Sequence, residues 1–320
     1  MVPGSLRNCG YLPIATASIS RASILEFDLY LRRPGSTVAE LYRNASYPLE
    51  TGDIERLRRD GVDRLYIKCE NANAYRDYLC KHVLGDPAAP PTARVEALRE
   101  VTRAAFQDAL VANDHDSLVA VAADFGGQMT NVISNQSLPF RELFSTLEHD
   151  YYTFTHVCNV SVYCLLLAGQ MGISDMQELS QIASGALLHD IGKRHIPLGI
   201  LNKPAKLTDE EWEQIREHPV SGFRELVERN DLSWPQLMMV YQHHERLDGS
   251  GYPTGVCADE IHPWARICCV ADVFDALTCQ RPYRKPVPKV EVCEHLEKHA
   301  GTWFDSEMVS RWTHYVRSLA

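Results

Sequence analysis

Three short stretches decide how this chain folds: ALLHDIGKRHIP at residues 186–197, REHPVSG at 216–222 and YQHHERLDGSGYP at 241–253. Histidine occurs in all three, and twice it ends an apolar run. IASGALLHD (182–190) and PQLMMVYQHH (235–244) have the length and composition of buried helices. Burying ionisable side chains there is costly unless a partner or a metal compensates them. The stretches therefore predict a helical scaffold on which imidazoles and carboxylates converge.

The candidate ligands are five imidazoles and two carboxylates. Asp272 lies in another apolar helix, RICCVADVFDAL (266–277), where an unpaired carboxylate would also be costly. Imidazole combined with carboxylate suits Fe, Mn, Zn or Ni better than Mg or Ca, which prefer oxygen ligands. A single histidine in such a place is more often structural, but the complete set favours a metal centre. Its members are His156, His189, Asp190, His218, His243, His244 and Asp272.

Outward from these stretches, the pattern predicts a mainly α protein with a C-terminal helical bundle and a small N-terminal α/β module. A bundle suits a metal centre because side chains from facing helices can converge on one point. The α/β module contains no catalytic constellation, so we expect it to sense a signal or to dock a protein partner. The expected divisions are a flexible tail at 1–20, the α/β module at 21–86, a helical connector at 87–138 and the metal-binding helical domain at 139–320.

Composition excludes several classes of protein. Hydrophobic residues make up 45% and charged residues 23% of the 320 residues, which is typical of a globular chain. The formal charge of −10 disfavours binding to duplex nucleic acid, which requires a basic face. No apolar run approaches the roughly 18–20 residues of a membrane span, and no secretory signal is evident. Ten cysteines without a C-x-x-C pair favour free thiols, so we expect a cytoplasmic protein.

Four motifs in order carry a resemblance to a known superfamily: HDIGK at 189–193, HP at 218–219, HHERLDGSGYP at 243–253 and ARICCVADVFDALTCQRPYR at 265–284. The chain resembles the HD superfamily of metal-dependent phosphohydrolases, and more narrowly the HD-GYP family of cyclic dinucleotide phosphodiesterases. The resemblance implies an HD-type bundle with two metals bridged by Asp190. His156, His189, Asp190 and Asp272 would hold the first metal, and His218, His243 and His244 the second.

The resemblance also bears on the number and identity of the metals. Some family members place a Glu four residues before the first His ligand, where it helps to hold a third metal. Here that position is Tyr152, and a phenol is a poor substitute for a bridging carboxylate. We therefore expect two divalent transition metals, with iron favoured and manganese or another metal as the alternative.

The activity implied by the resemblance is hydrolysis of cyclic di-GMP to linear pGpG by a hydroxide held between two metals, with a second cut to GMP left open. Asp190 and Lys193 are the candidate catalytic residues, with Lys193 as a positive contact to a phosphoryl oxygen. Tyr252 would either stack on a base or pack beneath its own loop. The candidate substrate contacts are Asp150, Lys193, Tyr252, Asp275, Arg281 and Arg284.

Other functions stay open at this point. The chain could bind a cyclic dinucleotide with slow or no turnover and act through protein contacts, as its N-terminal module suggests. It could also hydrolyse another cyclic dinucleotide such as cGAMP, because no motif distinguishes the bases. A phosphohydrolase for mononucleotides is disfavoured by the second metal site and the GYP loop. A homodimer is likewise left open.

Overall fold

The fold is taken from a computed structural model of the chain, in which helices dominate and a small sheet lies near the N-terminus. This confirms the predicted fold class. The chain divides into two compact units, residues 1–104 and 105–320. The structure describes residues 10–19, 25–32, 38–62, 64–86, 88–135, 153–203, 205–279 and 285–319.

The first unit is built on an antiparallel sheet of four strands with the order β1-β4-β2-β3. Leu65 and Ile67 alternate with more exposed residues along β4 and are fully buried in the core of this unit. The strands are β1 (Tyr11–Ala15), β2 (Leu29–Arg32), β3 (Ala39–Arg43) and β4 (Arg64–Lys68). Helix α1 (Thr51–Arg59) lies between β3 and β4 in the chain, and α2 (Ala72–Leu79) follows β4. A π-helical turn at Cys80–Leu84 continues α2.

The prediction of a flexible tail over residues 1–20 is wrong for the second half of that range. Strand β1 pairs with β4 along its whole length, and Leu12 and Ile14 are buried in the core. Pro13 obscures this strand in the sequence because proline cannot donate a ladder hydrogen bond. Since β1 lies at the edge of the sheet, that missing donor is tolerated.

The described parts of the predicted helical connector (87–138) and of the predicted helical domain (139–320) consist mainly of helices joined by loops. Helix α3 (Pro91–Ala112) contains the division between the two units. None of the described helices is long and apolar enough to cross a membrane. The remaining helices are α4 (His115–Asn135), α5 (Thr153–Gln170), α6 (Met176–Leu188), α7 (Leu198–Leu201), α8 (Asp209–Arg216), α9 (His218–Leu226), α10 (Trp234–Gln242), α11 (Pro263–Thr278), α12 (Lys289–Lys298) and α13 (Ser306–Ser318), with a 3-10 helix at Ile191–His195 between α6 and α7.

Helix α5 lies at the centre of the second unit and contacts α6, α11 and α13. Its residues 155–168 are all buried, as expected for a helix that is apolar on every face. Tyr163 of α5 packs edge-on against Phe274 and Trp312, with ring centroids 5.3 and 5.5 Å away. Helix α10 in turn packs against α6, α9 and α11. The ends of α6 and α10 therefore meet the start of α9 and the middle of α11.

Candidate metal centre

Five separate elements deliver the seven predicted ligand residues to one place in the second unit. One comes from α5, two directly follow α6, one begins α9, two directly follow α10, and one lies within α11. Six of the side chains are buried, and the seventh, His244, is 22% exposed. The residues are His156, His189, Asp190, His218, His243, His244 and Asp272.

The seven side chains form two groups with metal-ligand spacing. His156, His189 and Asp272 make up the first group. Within each group, one potential ligand atom of each side chain lies within 4.8 Å of all the others. His156 Nε2 is 3.1 Å from Asp272 Oδ1 in the first group. The second group consists of Asp190, His218, His243 and His244.

The Asp190 carboxylate lies between the two groups. Its Oδ2 atom is 3.5 Å from His156 Nε2 and 3.4 Å from His189 Nε2. Its Oδ1 atom is 3.3 Å from His218 Nε2 and 3.7 Å from His243 Nε2. One oxygen thus faces each group, which is the arrangement that a bridging ligand requires.

Backbone carbonyls fix the orientation of three of the imidazoles. His189 Nδ1 donates to the carbonyl of Ala186 at 2.7 Å. In the same way, His218 Nδ1 donates to a carbonyl at 2.7 Å and His243 Nδ1 to one at 3.0 Å. A carbonyl only accepts, so in the neutral imidazoles the proton is on Nδ1 and the Nε2 lone pair points into the cluster. Metal-ligating histidines are held in this way.

The donor set fits divalent transition metals. His218 Nε2 and His243 Nε2 are 3.2 Å apart, and in the tautomers just described both are acceptors. Among the described residues, His189 Nε2 and Asp190 Oδ1 are buried without a hydrogen-bond partner. Each such orphaned group costs about 1–3 kcal/mol. Cations bound at the two groups would give each of these four atoms a partner. Tighter packing of apolar side chains would leave all four without one.

The protonation states of most ligand residues suit metal binding. Burial lowers the pKa of His243 to about 4 and also places the pKa of His244 well below its ordinary value. Burial acts to raise the pKa of Asp190, but Lys193 and the neighbouring imidazoles outweigh it and hold that pKa well below its usual range. Burial likewise opposes the ionised form of Asp272, yet its hydrogen bond with His156 contributes most to lowering the pKa. Neutral imidazole and ionised carboxylate are the ligating forms.

His156 differs from the other ligand histidines because carboxylates surround it. Burial disfavours its charged form, but hydrogen bonds with Asp190, Asp272 and Asp275 raise its pKa well above the ordinary value. A metal that binds to His156 would therefore displace a proton from the ring.

Lys193 lies in the 3-10 helix that follows Asp190, and its side chain is 18% exposed. Its ammonium Nζ is 2.5 Å from Asp190 Oδ2. The cation therefore contacts the carboxylate that lies between the two ligand groups.

The loop after α10 closes back onto the end of that helix. The buried Glu245 carboxylate accepts hydrogen bonds from Thr254 N at 2.7 Å, Thr254 Oγ1 at 2.8 Å and Gly255 N at 3.1 Å. The backbone at Gly251 packs directly against the start of the loop. A Cβ at position 251 would lie 2.5 Å from Glu245 Cα and 2.6 Å from His244 O. The HHERLDGSGYP motif is therefore a compact unit in which glycine is required at 251.

Tyr252 packs on a member of the cluster. Its ring stacks on His244, with centroids 4.7 Å apart and an interplanar angle of 30°. The Arg216 guanidinium lies 5.7 Å from the centroid of the Tyr252 ring. Burial raises the pKa of Tyr252, so the phenol stays neutral. Tyr252 thus contacts His244 and Arg216, while stacking on a base and packing beneath its own loop both stay predictions.

Asp275 was predicted to contact the substrate, but the structure buries it. The residue is 0% exposed, because α11 is buried along this face. Its Oδ2 atom accepts from His156 Nδ1 at 2.7 Å, and its Oδ1 atom accepts from Asn159 Nδ2 at 2.9 Å. Four other residues of the sequence argument lie outside the described residues, namely Asp150, Tyr152, Arg281 and Arg284.

Asn159, Glu245 and Arg216 also contribute to the site, although the sequence analysis does not predict them. Asn159 follows His156 by three residues, so helical spacing places both on the same face of α5. Glu245 is part of the HHE run, and its burial could be suspected from the apolar helix before it. Arg216 contacts Tyr252 across 36 residues of chain, and no local pattern indicates such a contact.

A helical bundle that brings together two adjoining groups of imidazole and carboxylate ligands is typical of a metal-binding α-helical domain. The profile described as HD domain matches residues 142–308, just over half of the chain. The chain belongs to the HD domain family and, within it, to the HD-GYP group. Divalent metal binding follows from this membership and agrees with the cluster.

Two proteins of similar sequence and one of similar structure illustrate the relationship. A cyclic di-GMP phosphodiesterase of Pseudomonas aeruginosa is 32% identical over 267 residues, covering 78% of this chain and 64% of the relative. The 3'3'-cGAMP-specific phosphodiesterase 3 of Vibrio cholerae is 40% identical over 156 residues, 49% of this chain and 34% of the relative. This chain thus spans less than two thirds of the length of either protein.

A solved structure from Bdellovibrio bacteriovorus, described as an HDG"Y"P protein, resembles this chain in fold. The TM-score is 0.69 at 20% sequence identity, and the likeness covers 96% of this chain and 99% of the other. At this identity the likeness concerns the fold alone. It extends over the N-terminal α/β unit as well as the helical unit.

Proposed function

We propose that this chain is a metal-dependent phosphodiesterase that opens a cyclic dinucleotide, with cyclic di-GMP as the preferred substrate and linear pGpG as the product. The observation that carries the proposal is the position of the Asp190 carboxylate, with one oxygen toward each of two buried ligand groups. Relatives from Pseudomonas aeruginosa and Thermotoga maritima named cyclic di-GMP phosphodiesterases support the choice of substrate.

Two divalent transition metals, with iron favoured and manganese as the alternative, are proposed as cofactors. Asp190 would bind both. When bound, the metals supply Lewis-acid activation of water and of the phosphoryl group. His156, His189 and Asp272 would hold the first metal, and His218, His243 and His244 the second.

The residues of the chain supply orientation and charge for this reaction. The Nδ1 protons of His189, His218 and His243 are held by backbone carbonyls, so these rings do not act as acids toward the substrate. Lys193 brings a positive charge to a chain with a formal charge of −10. We assign it to a nonbridging phosphoryl oxygen, where it stabilises the charge that develops in the transition state.

Lys193→Ala should retain both metals and lower kcat by about 10²-fold, because a cation aimed at the reacting phosphate is removed while all metal ligands remain. Metal content per chain by elemental analysis and kcat on cyclic di-GMP are the two measurements. Lys203→Ala is the matched control, since Lys203 also pairs with a carboxylate, Glu211, at 2.6 Å. Unchanged turnover in Lys193→Ala would dismiss the phosphate role, and loss of metal would reassign Lys193 to holding the centre together.

The proposed activity is tested by product identification. Protein purified without oxygen and loaded with Fe²⁺ or Mn²⁺ is incubated with cyclic di-GMP and, in parallel, with 3'3'-cGAMP. We expect the linear dinucleotide from cyclic di-GMP as the main product. Faster cleavage of 3'3'-cGAMP would instead favour the activity named for the Vibrio cholerae relative. A cyclic dinucleotide that is bound but uncleaved over hours would support the signalling-module alternative.

The N-terminal unit is proposed to act as a docking or sensing module for a cytoplasmic signalling partner. Its described residues form a compact sheet and helix core, and they contain no group of residues with metal-ligand spacing. A homodimer, which would present two copies of this unit to the partner, stays open.

A further inference from the structure

Asp275 is bonded on both carboxylate oxygens inside the protein. Oδ2 accepts from the Nδ1 atom of the ligand histidine His156 at 2.7 Å. Oδ1 accepts from Asn159 Nδ2 at 2.9 Å and from the Cys279 thiol at 3.3 Å. All four residues are buried. The carboxylate is therefore held in place by an amide and a thiol, and it fixes the ring of His156.

This partner distinguishes His156 from the other three buried imidazoles. Their Nδ1 atoms bond to neutral backbone carbonyls, at the ends of α6, α8 and α10. A carboxylate behind an imidazole makes its Nε2 atom a stronger donor to a metal than a carbonyl does, and it also fixes the ring orientation. The Nδ1 atom of His156 is thus bonded to a carboxylate, whereas those of His189, His218 and His243 are bonded to carbonyls.

The distribution of carboxylates also favours the first ligand group. Three carboxylates contact the His156 ring, namely those of Asp190 at 3.5 Å, Asp272 at 3.1 Å and Asp275 at 2.7 Å. The second group contains one carboxylate, that of Asp190, together with three imidazoles, and Asp272 Oδ2 lies 3.8 Å from His244 Nδ1 at its edge. Lys193 contacts the shared Asp190 and so reduces the negative charge available to both groups.

We infer that Asp275 is a positioning residue that makes the group of His156, His189 and Asp272 the tighter of the two metal sites. The inference rests on the proposed metal centre and extends it to an order of filling. The first cation enters the group backed by Asp275, and the second enters the group of three imidazoles. Asp275 touches neither metal nor substrate and acts through the His156 ring.

The test is a titration of the metal-free full-length protein with Mn²⁺, followed by calorimetry and by the electron paramagnetic resonance signal of free Mn²⁺. The wild type should bind two equivalents in two distinguishable steps. His243→Ala should lose the weaker step and retain the tighter one, which assigns the tighter step to the first group. Asp275→Asn should weaken the tighter step by about 10–100-fold and change the other by much less.

A second variant guards against a packing effect, because the new amide in Asp275→Asn would face the Asn159 amide donor. The double variant Asn159→Asp with Asp275→Asn exchanges the two groups. It restores a donor–acceptor pair at this contact but leaves His156 bonded to a neutral carbonyl oxygen. We expect it to show the same weakened step with a wild-type unfolding midpoint. Wild-type Mn²⁺ affinity in the double variant would overturn the inference.

Three further outcomes separate this inference from the proposed function. Two equal Mn²⁺ affinities in the wild type, or a weaker second step in Asp275→Asn with the first unchanged, would overturn the inference and leave the phosphodiesterase proposal standing. A wild type that binds no Mn²⁺ would overturn the proposed metal centre itself. None of these readings depends on a turnover assay.

Discussion

Asp190→Ala should empty both metal sites and lower turnover of a cyclic dinucleotide by at least about 10³-fold, the largest loss expected from a single substitution in this chain. The reason is geometric, since the two oxygens of this carboxylate face different ligand groups. Removing any other ligand leaves one group intact, whereas removing Asp190 takes a ligand from each. Metal content should fall from two per chain toward zero, as measured by elemental analysis after gel filtration.

The control for this experiment is Asp124→Ala, which removes an exposed carboxylate from α4 at a position where it accepts from Gln128. It should keep two metals and full turnover. Helical content by circular dichroism should match the wild type in both variants, because Asp190 follows the end of α6 and contributes no apolar side chain to the packing of the helices. A variant Asp190→Ala that retains one tightly bound metal would show that the carboxylate belongs to a single site and does not bridge.

The helical unit was largely predictable from sequence because its signals are local. The apolar runs before His189 and His243 set the lengths of α6 and α10, and both helices end where ionisable residues begin. The ligand set could be proposed for the same reason, since ionisable groups at the ends of buried helices need partners. The structure brings all seven of these side chains together.

What could not be predicted depends on contacts between elements. Helix α11 is buried on nearly every face, so hydrophobic periodicity could not tell which neighbour Asp275 would meet. Strand β1 was missed because its short apolar pattern contains Pro13, and only pairing with β4 makes it a strand. Glu245 and Gly251 depend on a loop that folds back on its own start. Local sequence carries no signal for such closures.

Gly192→Ala should destabilise the protein by at least about 3 kcal/mol, at the upper end of the cost of overpacking a tight interior. Gly192 lies between Asp190 and Lys193, in the 3-10 helix that packs against the start of α9. A Cβ at this position would overlap the carbonyl oxygen of His218 and lie 2.6 Å from Gly222 N. These are backbone atoms, so no side-chain rotation relieves the overlap. The free energy of unfolding is measured by urea denaturation, with the slope m checked for two-state behaviour.

The matched control is Gly169→Ala, since Gly169 is also in the helical unit but a Cβ there would meet nothing within 4 Å. Alanine at this exposed end of α5 should leave stability unchanged or raise it by about 0.5–1 kcal/mol. In Gly192→Ala the weaker Mn²⁺ step should be lost together with stability, because His218 is displaced from Asp190. Wild-type stability and Mn²⁺ binding in that variant would mean that the HDIGK turn and α9 are not in backbone contact. The approach of His218 to Asp190 would then need a different structural cause.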